Sequence, residues 1–519
     1  MSGYLRRLAT TGAAYTAASI LSKLIAVALL PLYTRYLTTA DYGAAEIMFA
    51  AVVTASIAVR LGLIEALLRF YYKDDEDPAK VVSTSFAALF WLSTAAALIA
   101  LPFAGQISDA LLTEKAAALV SGPDLARIAI GGLWVATLHE YLLTLFRLEE
   151  RARAFFTVTV ANVIAAIALT VVLVVGHDEG ARGLLLGSYV SGAVFVLALI
   201  VFHRRRLSLW VDRPLLRRMT RFGLPTMPAE LSLYALNFVD RLVIARSIGL
   251  AEAGLYSLAV KFAQAVNVLV RGFQLAWPPL AYSIRDDGEA RRVYAAVVTW
   301  FVAGCAFVVT GMWLFSRWIV RALADPKFFD SYEAIGLIAT GVTLYALYMV
   351  LVVILGRTGR TELNLPATIA ALVANVVLNV VLVPSLGIVG AGLALVASYL
   401  VVVALMYGFT QRLFPVPYEW ARLGRIVFIS AALVGLGELT MPTDGFAGLL
   451  GRGVLWLAYP AALLLSGFFT AEERGWLTHL RHPGELLARY RAARARPAVV
   501  DGEVPAAYEA EIMDEDLRS

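Results

Sequence analysis

The chain has 519 residues, 60% apolar and 16% charged, with a net charge of +5 and a mean hydropathy of +0.74. A soluble chain carries about 45–50% apolar and about 25% charged residues, which excludes an ordinary water-soluble globule, a disordered chain and a nucleic-acid binder. A single cysteine, Cys305, and five scattered histidines give neither a disulfide framework nor a Cys-based metal site. What is left is a polytopic membrane protein.

Lipid admits only helices or closed barrels, because no water is there to satisfy backbone groups. Apolar runs of about twenty residues, enough for a helix to cross about 30 Å of hydrocarbon, predict helices over 10–34, 42–68, 81–104, 125–147, 154–176 and 182–203. The first run follows Arg6 and Arg7 but continues through Pro31 without a cleavage region, so it reads as a span and not a signal peptide. A joint from Arg204 to Arg221 then mixes seven arginines with Leu207, Leu209, Trp210 and Met219. It reads as a cytoplasmic segment on anionic headgroups or as a topology anchor. Further helices are predicted over 222–246, 252–280, 293–316, 333–356, 363–383 and 389–411, with an extra pair over 424–441 and 449–470. The fold class is all-α and polytopic, with fourteen transmembrane helices. The tail is basic and amphipathic over Glu472 to Arg496, then acidic and disordered from Pro497.

Alternating the loops from a cytoplasmic Arg6 puts thirty Lys and Arg inside and nine outside. That asymmetry supports the helix count and predicts that both termini are cytoplasmic.

The chain also repeats itself. Arg35, Asp41, Gly43 and Arg60 match Arg246, Glu252, Gly254 and Arg271 at a spacing of 211, and Gly180, Ser188 and Tyr189 match Gly390, Ser398 and Tyr399 at 210. Two six-helix lobes, 1–203 and 222–412, are expected, related by a pseudo-twofold axis along the membrane normal. The basic linker 204–221 joins them, the extra helices occupy 413–470, and the tail is 471–519. Transporters built on such repeats bind cargo between the halves.

Five cations fall inside predicted spans: Lys23, Arg60, Arg241, Lys261 and Arg271. The interior acids are Glu46, Glu65, Glu140, Glu230 and Asp240. A charge at a helix centre costs about 2.5–3.5 kcal/mol on insertion scales, so these residues should face a bundle interior or a wet cavity. The cations come from equivalent helices of the two repeats and predict one central anion-binding cavity, in which guanidinium forks suit phosphate oxygens. Internal pairing of Asp240 with Arg241 or Lys261 is the competing reading, and Glu46, Glu140 and Asp240 are candidates for ion coupling or charge partnership. Tyr33, Tyr234 and Tyr256 are candidate sugar contacts; Trp277 and Tyr282 read as interfacial belt residues.

No catalytic constellation is found. The run Asp74-Asp75-Glu76-Asp77 reads as a solvated inner loop, His139-Glu140 as a buried hydrogen-bonded pair, and there is no nucleotide-binding glycine loop. The chain is read as a transporter without cofactor and not as an enzyme.

The segment PLYTRYLTTADYG, from Pro31 to Gly43, resembles the opening of the polysaccharide-export (Wzx-type) branch of the multidrug/oligosaccharidyl-lipid/polysaccharide (MOP) superfamily. Phe222 to Ala263, with its proline after a basic joint, its Asp240-Arg241 pair and its Gly254-x-Tyr256, is similar to that family's seventh and eighth helices. The resemblance covers about residues 1–412. It implies a bacterial inner-membrane flippase moving undecaprenyl-pyrophosphate-linked oligosaccharide to the outer leaflet, with two lobes opening inward and outward. Membrane lipids, a polysaccharide polymerase and glycosyltransferases are the implied partners. In the peptidoglycan-precursor flippases an extra helix pair forms a groove for the lipid tail. A proton- or sodium-coupled small-molecule exporter of the same superfamily, needing a carboxylate-dominated cavity, and a membrane glycosyltransferase or polymerase, needing a large outer loop, stay open as alternatives.

Overall fold

A computed structural model describes residues 21, 25, 27–72, 76–470 and 473. The chain separates into two compact units, Thr11–Ala462 and a smaller one composed of Met1–Thr10 with Leu463–Ser519. In the smaller unit the Phe468 and Phe469 rings meet edge to face at 5.3 Å. All that follows concerns the larger unit.

The described residues are helical throughout. In order the helices are α1 (Leu30–Tyr36), α2 (Thr39–Arg60), α3 (Leu63–Phe70), α4 (Pro78–Ala100), α5 (Ala104–Leu112), α6 (Glu114–Leu119), α7 (Gly122–Leu148), α8 (Ala152–Val171) and α9 (Gly180–His203). Then come α10 (Arg213–Gly223), α11 (Met227–Ser247), α12 (Leu250–Ala263), α13 (Val266–Ser283), α14 (Asp287–Leu323), α15 (Tyr332–Arg357), α16 (Asn364–Leu413), α17 (Trp420–Thr440) and α18 (Gly445–Leu465). Among the described residues, ten helical stretches are long and apolar enough to cross a membrane. Most of every expected span after the first lies in helix, as does the described end of that first one. The count differs because most of the first expected span lies outside the described residues, α11 and the α12–α13 stretch are short or charge-bearing, and α16 runs as one helix across a kink at Gly387.

Local chemistry sets many of the boundaries. Thr38 caps α2 in a reciprocal capping box with Asp41. Asp77, Asp212 and Asp286 accept backbone N–H groups at the starts of α4, α10 and α14. The expected continuous helix over 42–68 is broken: Leu61 (φ 50°) and Gly62 (φ 67°) are both left-handed. The reason lies far along the chain. A Cβ on Gly62 would fall 2.0 Å from the Gly223 carbonyl oxygen, and one on Gly223 would fall 2.2 Å from the Gly62 oxygen. The end of α10 thus sits backbone to backbone on the α2–α3 corner, and only glycine fits on either side.

Between the two expected halves, α2 packs on α11 and α12, and α5 on α11. The α2–α12 crossing is self-complementary. A Cβ on Gly43 would lie 2.1 Å from the Leu250 carbonyl oxygen, and one on Gly254 would lie 2.0 Å from that of Thr39. Thr39 and Leu250 are separated by the same 211 residues as the glycines. Each helix therefore offers the other the same pair of positions, which is the signature of an isologous contact. This crossing is at the end of the bundle assigned to the outside.

The extra helices pack on α14. Trp456 donates to the Phe307 carbonyl at 2.9 Å and Tyr459 to that of Ala303 at 3.0 Å. Arg452, fully buried on α18, pairs with Glu438 on α17.

Candidate functional site

The interior charges fall into two tiers. The first lies about 10 Å along α2 from its start. There the buried Glu46 carboxylate meets Lys261 Nζ at 3.0 Å and Arg241 Nη2 at 3.9 Å. Arg241 Nε also donates to Ser257 Oγ at 3.0 Å. These links join α2 to α11 and α12, just inside the glycine crossing. Removing one partner from a buried pair strands the other charge and costs about 3–5 kcal/mol, so the cluster ties α2 to α11 and α12.

Asp240 faces the other way. It is fully buried and accepts from Tyr256 Oη at 2.7 Å, Asn375 Nδ2 at 2.9 Å and Asn379 Nδ2 at 2.8 Å. Glu46, reached across the helix crossing, meets Lys261 and Arg241, while α16 amides and Tyr256 hold Asp240, which also lies within electrostatic reach of Arg241. Sequence reading missed Asn375 and Asn379. Their signal was two asparagines one helical turn apart in an otherwise apolar run. Both amide oxygens are buried without a hydrogen-bond partner. Tyr256 is buried with its hydroxyl spent on Asp240, so it leaves no free face for a sugar.

The second tier lies about 20 Å farther along α2. Arg60, half-buried, donates from Nε to the Ser56 carbonyl of its own helix at 3.2 Å. Arg271, on α13, is exposed. Neither has a carboxylate within ion-pair distance among the described residues. Arg60, Glu65 and Glu140 all lie within electrostatic reach of Glu230. Tyr234, 47% exposed, feels Arg60, Arg271, Glu230 and Glu140, and Tyr345 feels Arg271 and Glu230. Side chains from α2, α3, α7, α11, α13 and α15 thus share one electrostatic neighbourhood. That neighbourhood is mixed in charge and not uniformly positive, because three glutamates share it. Glu140 pairs with Arg147 at 2.7 Å.

Several sequence expectations sit elsewhere. Lys23 lies outside the described residues, so the five cations are not seen together. Tyr33 is half-buried near Thr170. Trp277 is no belt residue: it is 2% exposed, stacked on Phe273 and donating to the Val350 carbonyl. Glu76 is no free solvated acid, since it pairs with Arg218 at 2.8 Å, and Asp77 caps α4.

An elongated cavity of about 870 Å3 runs between α14, α15, α16 and α17. Val302, Val309, Leu347, Val403, Ile426 and Val434 are among its lining residues, which are almost all apolar.

An all-helical bundle with ten apolar spans among the described residues is that of a polytopic membrane protein. Its fold is that of the MOP superfamily. The lipid II flippase MurJ in an inward closed conformation matches with a TM-score of 0.67 and 13% identity, over 88% of this chain and 99% of that one. A multidrug resistance MATE family transporter of the MOP superfamily, inward-facing, matches at 0.62 and 17% identity, over 77% and 95%. The profile of the polysaccharide biosynthesis protein family matches residues 32–303, more than half of the chain, and the chain belongs to that family. The succinoglycan biosynthesis transport protein ExoT of Rhizobium meliloti (strain 1021) is 24% identical over 319 residues, 60% of this chain. The chain spans 61% of the length of this curated relative. By their names these similar proteins are transporters and flippases, not enzymes.

Proposed function

We propose that the protein is a flippase that carries undecaprenyl-pyrophosphate-linked oligosaccharide from the inner to the outer leaflet of a bacterial cytoplasmic membrane by alternating access. The observation that carries this reading is the pairing of Arg60 with Arg271. They are matched at a spacing of 211, both lie within electrostatic reach of Tyr234 and have no carboxylate within ion-pair distance among the described residues, while the opposite ends of α2 and α12 meet at the Gly43–Gly254 crossing and the Glu46 cluster. Two guanidinium groups at an inward-opening space suit a diphosphate, and Tyr234 offers a ring for the sugars. The self-complementary crossing supports two lobes, 1–203 and 222–412, with the 204–221 linker between them, and the Lys and Arg asymmetry supports cytoplasmic termini.

In this mechanism the diphosphate enters from the cytoplasm and the prenyl chain stays in apolar surroundings, for which the groove beside α17 is suited. Rocking of the halves separates α2 from α12 and exposes the site outward. An interior-negative potential favours exit of an anion by about 2.3 kcal/mol per charge per 100 mV. Asp240, held by Tyr256 and two asparagines, is the candidate for ion coupling, and it is the feature that favours a small-molecule antiporter as the second reading.

The test is export of polysaccharide by cells whose only copy is Arg60→Ala/Arg271→Ala. The variant should insert normally and lose export. Normal export with normal insertion would end the proposal.

A further inference from the structure

The linker between the halves is built onto the flank of a membrane helix. After α9 the chain turns at Arg204–Arg206, and Arg206 pairs with Glu149 at 2.5 Å. The next residues then run alongside α4. Trp91 Nε1 donates to the Leu209 carbonyl at 3.1 Å, and the Asp212 amide donates to Thr84 Oγ1 at 3.4 Å. Thr84 and Trp91 are about 10 Å apart along the axis of α4. The α4–α5 stretch is one of the apolar spans and is only 28% buried. The segment lies along the first half of this apolar stretch, with polar backbone groups at both of its ends satisfied by α4.

Here Trp210 stands 84% exposed beside Leu209 at 50%. Asp212 then caps α10, which buries Leu215 and Met219 against α3 and α4. Arg218 is tied to Glu76, and Phe222 packs on Phe70 under the Arg69 guanidinium. That leaves Arg204, Arg205, Arg213, Arg217 and Arg221 exposed and without a carboxylate within ion-pair distance among the described residues. Five such cations, three of them one turn apart along α10 and two in the turn after α9, beside an exposed Leu-Trp pair are complementary to anionic headgroups over an apolar layer.

We propose that Arg204–Gly223 is a binding site for anionic phospholipid. Leu209 and Trp210 sit at the headgroup–acyl boundary of the inner leaflet, and the five arginines hold lipid phosphates. The linker is then a lipid-anchored base on which the halves move, a role separate from cargo binding.

The test is native mass spectrometry of the purified full chain titrated with phosphatidylglycerol and, separately, phosphatidylcholine. Wild type should retain phosphatidylglycerol in preference. Each Arg→Gln at 204, 205, 213, 217 or 221 should weaken that binding roughly fivefold. Trp210→Ser should weaken both lipids, since it keeps every charge. A topology anchor alone would leave the lipid preference of correctly inserted, monodisperse variants unchanged. That result overturns the proposal, as does retained preference with loss of a co-purifying protein, which would make the surface a protein contact. Arg60→Ala/Arg271→Ala should keep the lipid preference, so failure of the flippase reading and failure of this one are distinguishable.

Discussion

Replacing Gly43 with alanine places a methyl group 2.1 Å from the backbone oxygen of Leu250. Ordinary carbon–oxygen contact is over an ångström longer, and the obstructing atom cannot rotate away. The two helices must separate. Overpacking of this kind costs about 1–3 kcal/mol. If α2 and α12 touch here only while the outer end is closed, the whole penalty falls on that state. The ratio of outward-open to outward-closed molecules should then rise about 5- to 150-fold. Spin labels at Tyr36→Cys and Ser247→Cys, both exposed near this end, would report it in a Cys305→Ala background as a new, longer distance population. Gly254→Ala, whose methyl meets the Thr39 oxygen at 2.0 Å, should give the same shift. The double variant should fall short of the sum, because both methyl groups strike one contact. A folded Gly43→Ala protein with an unchanged distance distribution would refute the reasoning.

The other expectations are narrower. Glu46→Gln removes the carboxylate shared by Lys261 and Arg241. It should lower stability in detergent by about 3 kcal/mol, the low end for a broken buried pair because Lys261 is partly exposed. Unfolding at the wild-type temperature would show that the cluster does not secure the crossing. Ala306→Trp fills the apolar groove beside α17. Export should fall while binding of a water-soluble sugar diphosphate is kept, and unchanged export would remove the groove from the path of the prenyl chain.

The helical spans were legible because their signal is composition over twenty residues, which tertiary contacts do not alter. Sequence reading puts three helix starts late, at 42, 81 and 293, because the caps Thr38, Asp77 and Asp286 lie in the polar stretches before the apolar runs. The break at Leu61–Gly62 was not legible. Its cause is Gly223, 161 residues away, and a lone glycine in an apolar run gives no local warning. The pairing of interior charges was legible only as a set of candidates. Glu46, Arg241 and Lys261 are named by their cost in lipid, but which acid meets which base depends on how α2 crosses α12. Asn375 and Asn379 carry no charge, so a search for charges passed over them although they bind the most buried acid of the bundle. The repeat was legible in a handful of positions. Gly43 and Gly254 stand out among them because close backbone approach tolerates no side chain.

The central claim is that a prenyl-linked diphosphate passes between the two halves by way of Arg60 and Arg271. The most direct measurement is translocation of a fluorescent undecaprenyl-diphosphate oligosaccharide across vesicles containing the purified protein, with a neutral prenyl glycoside of equal length as control. The account predicts fast transfer of the diphosphate lipid by wild type, transfer at the rate of protein-free vesicles by Arg60→Ala/Arg271→Ala, and little transfer of the neutral lipid. Equal transfer of both lipids, or an unimpaired double variant, would contradict it.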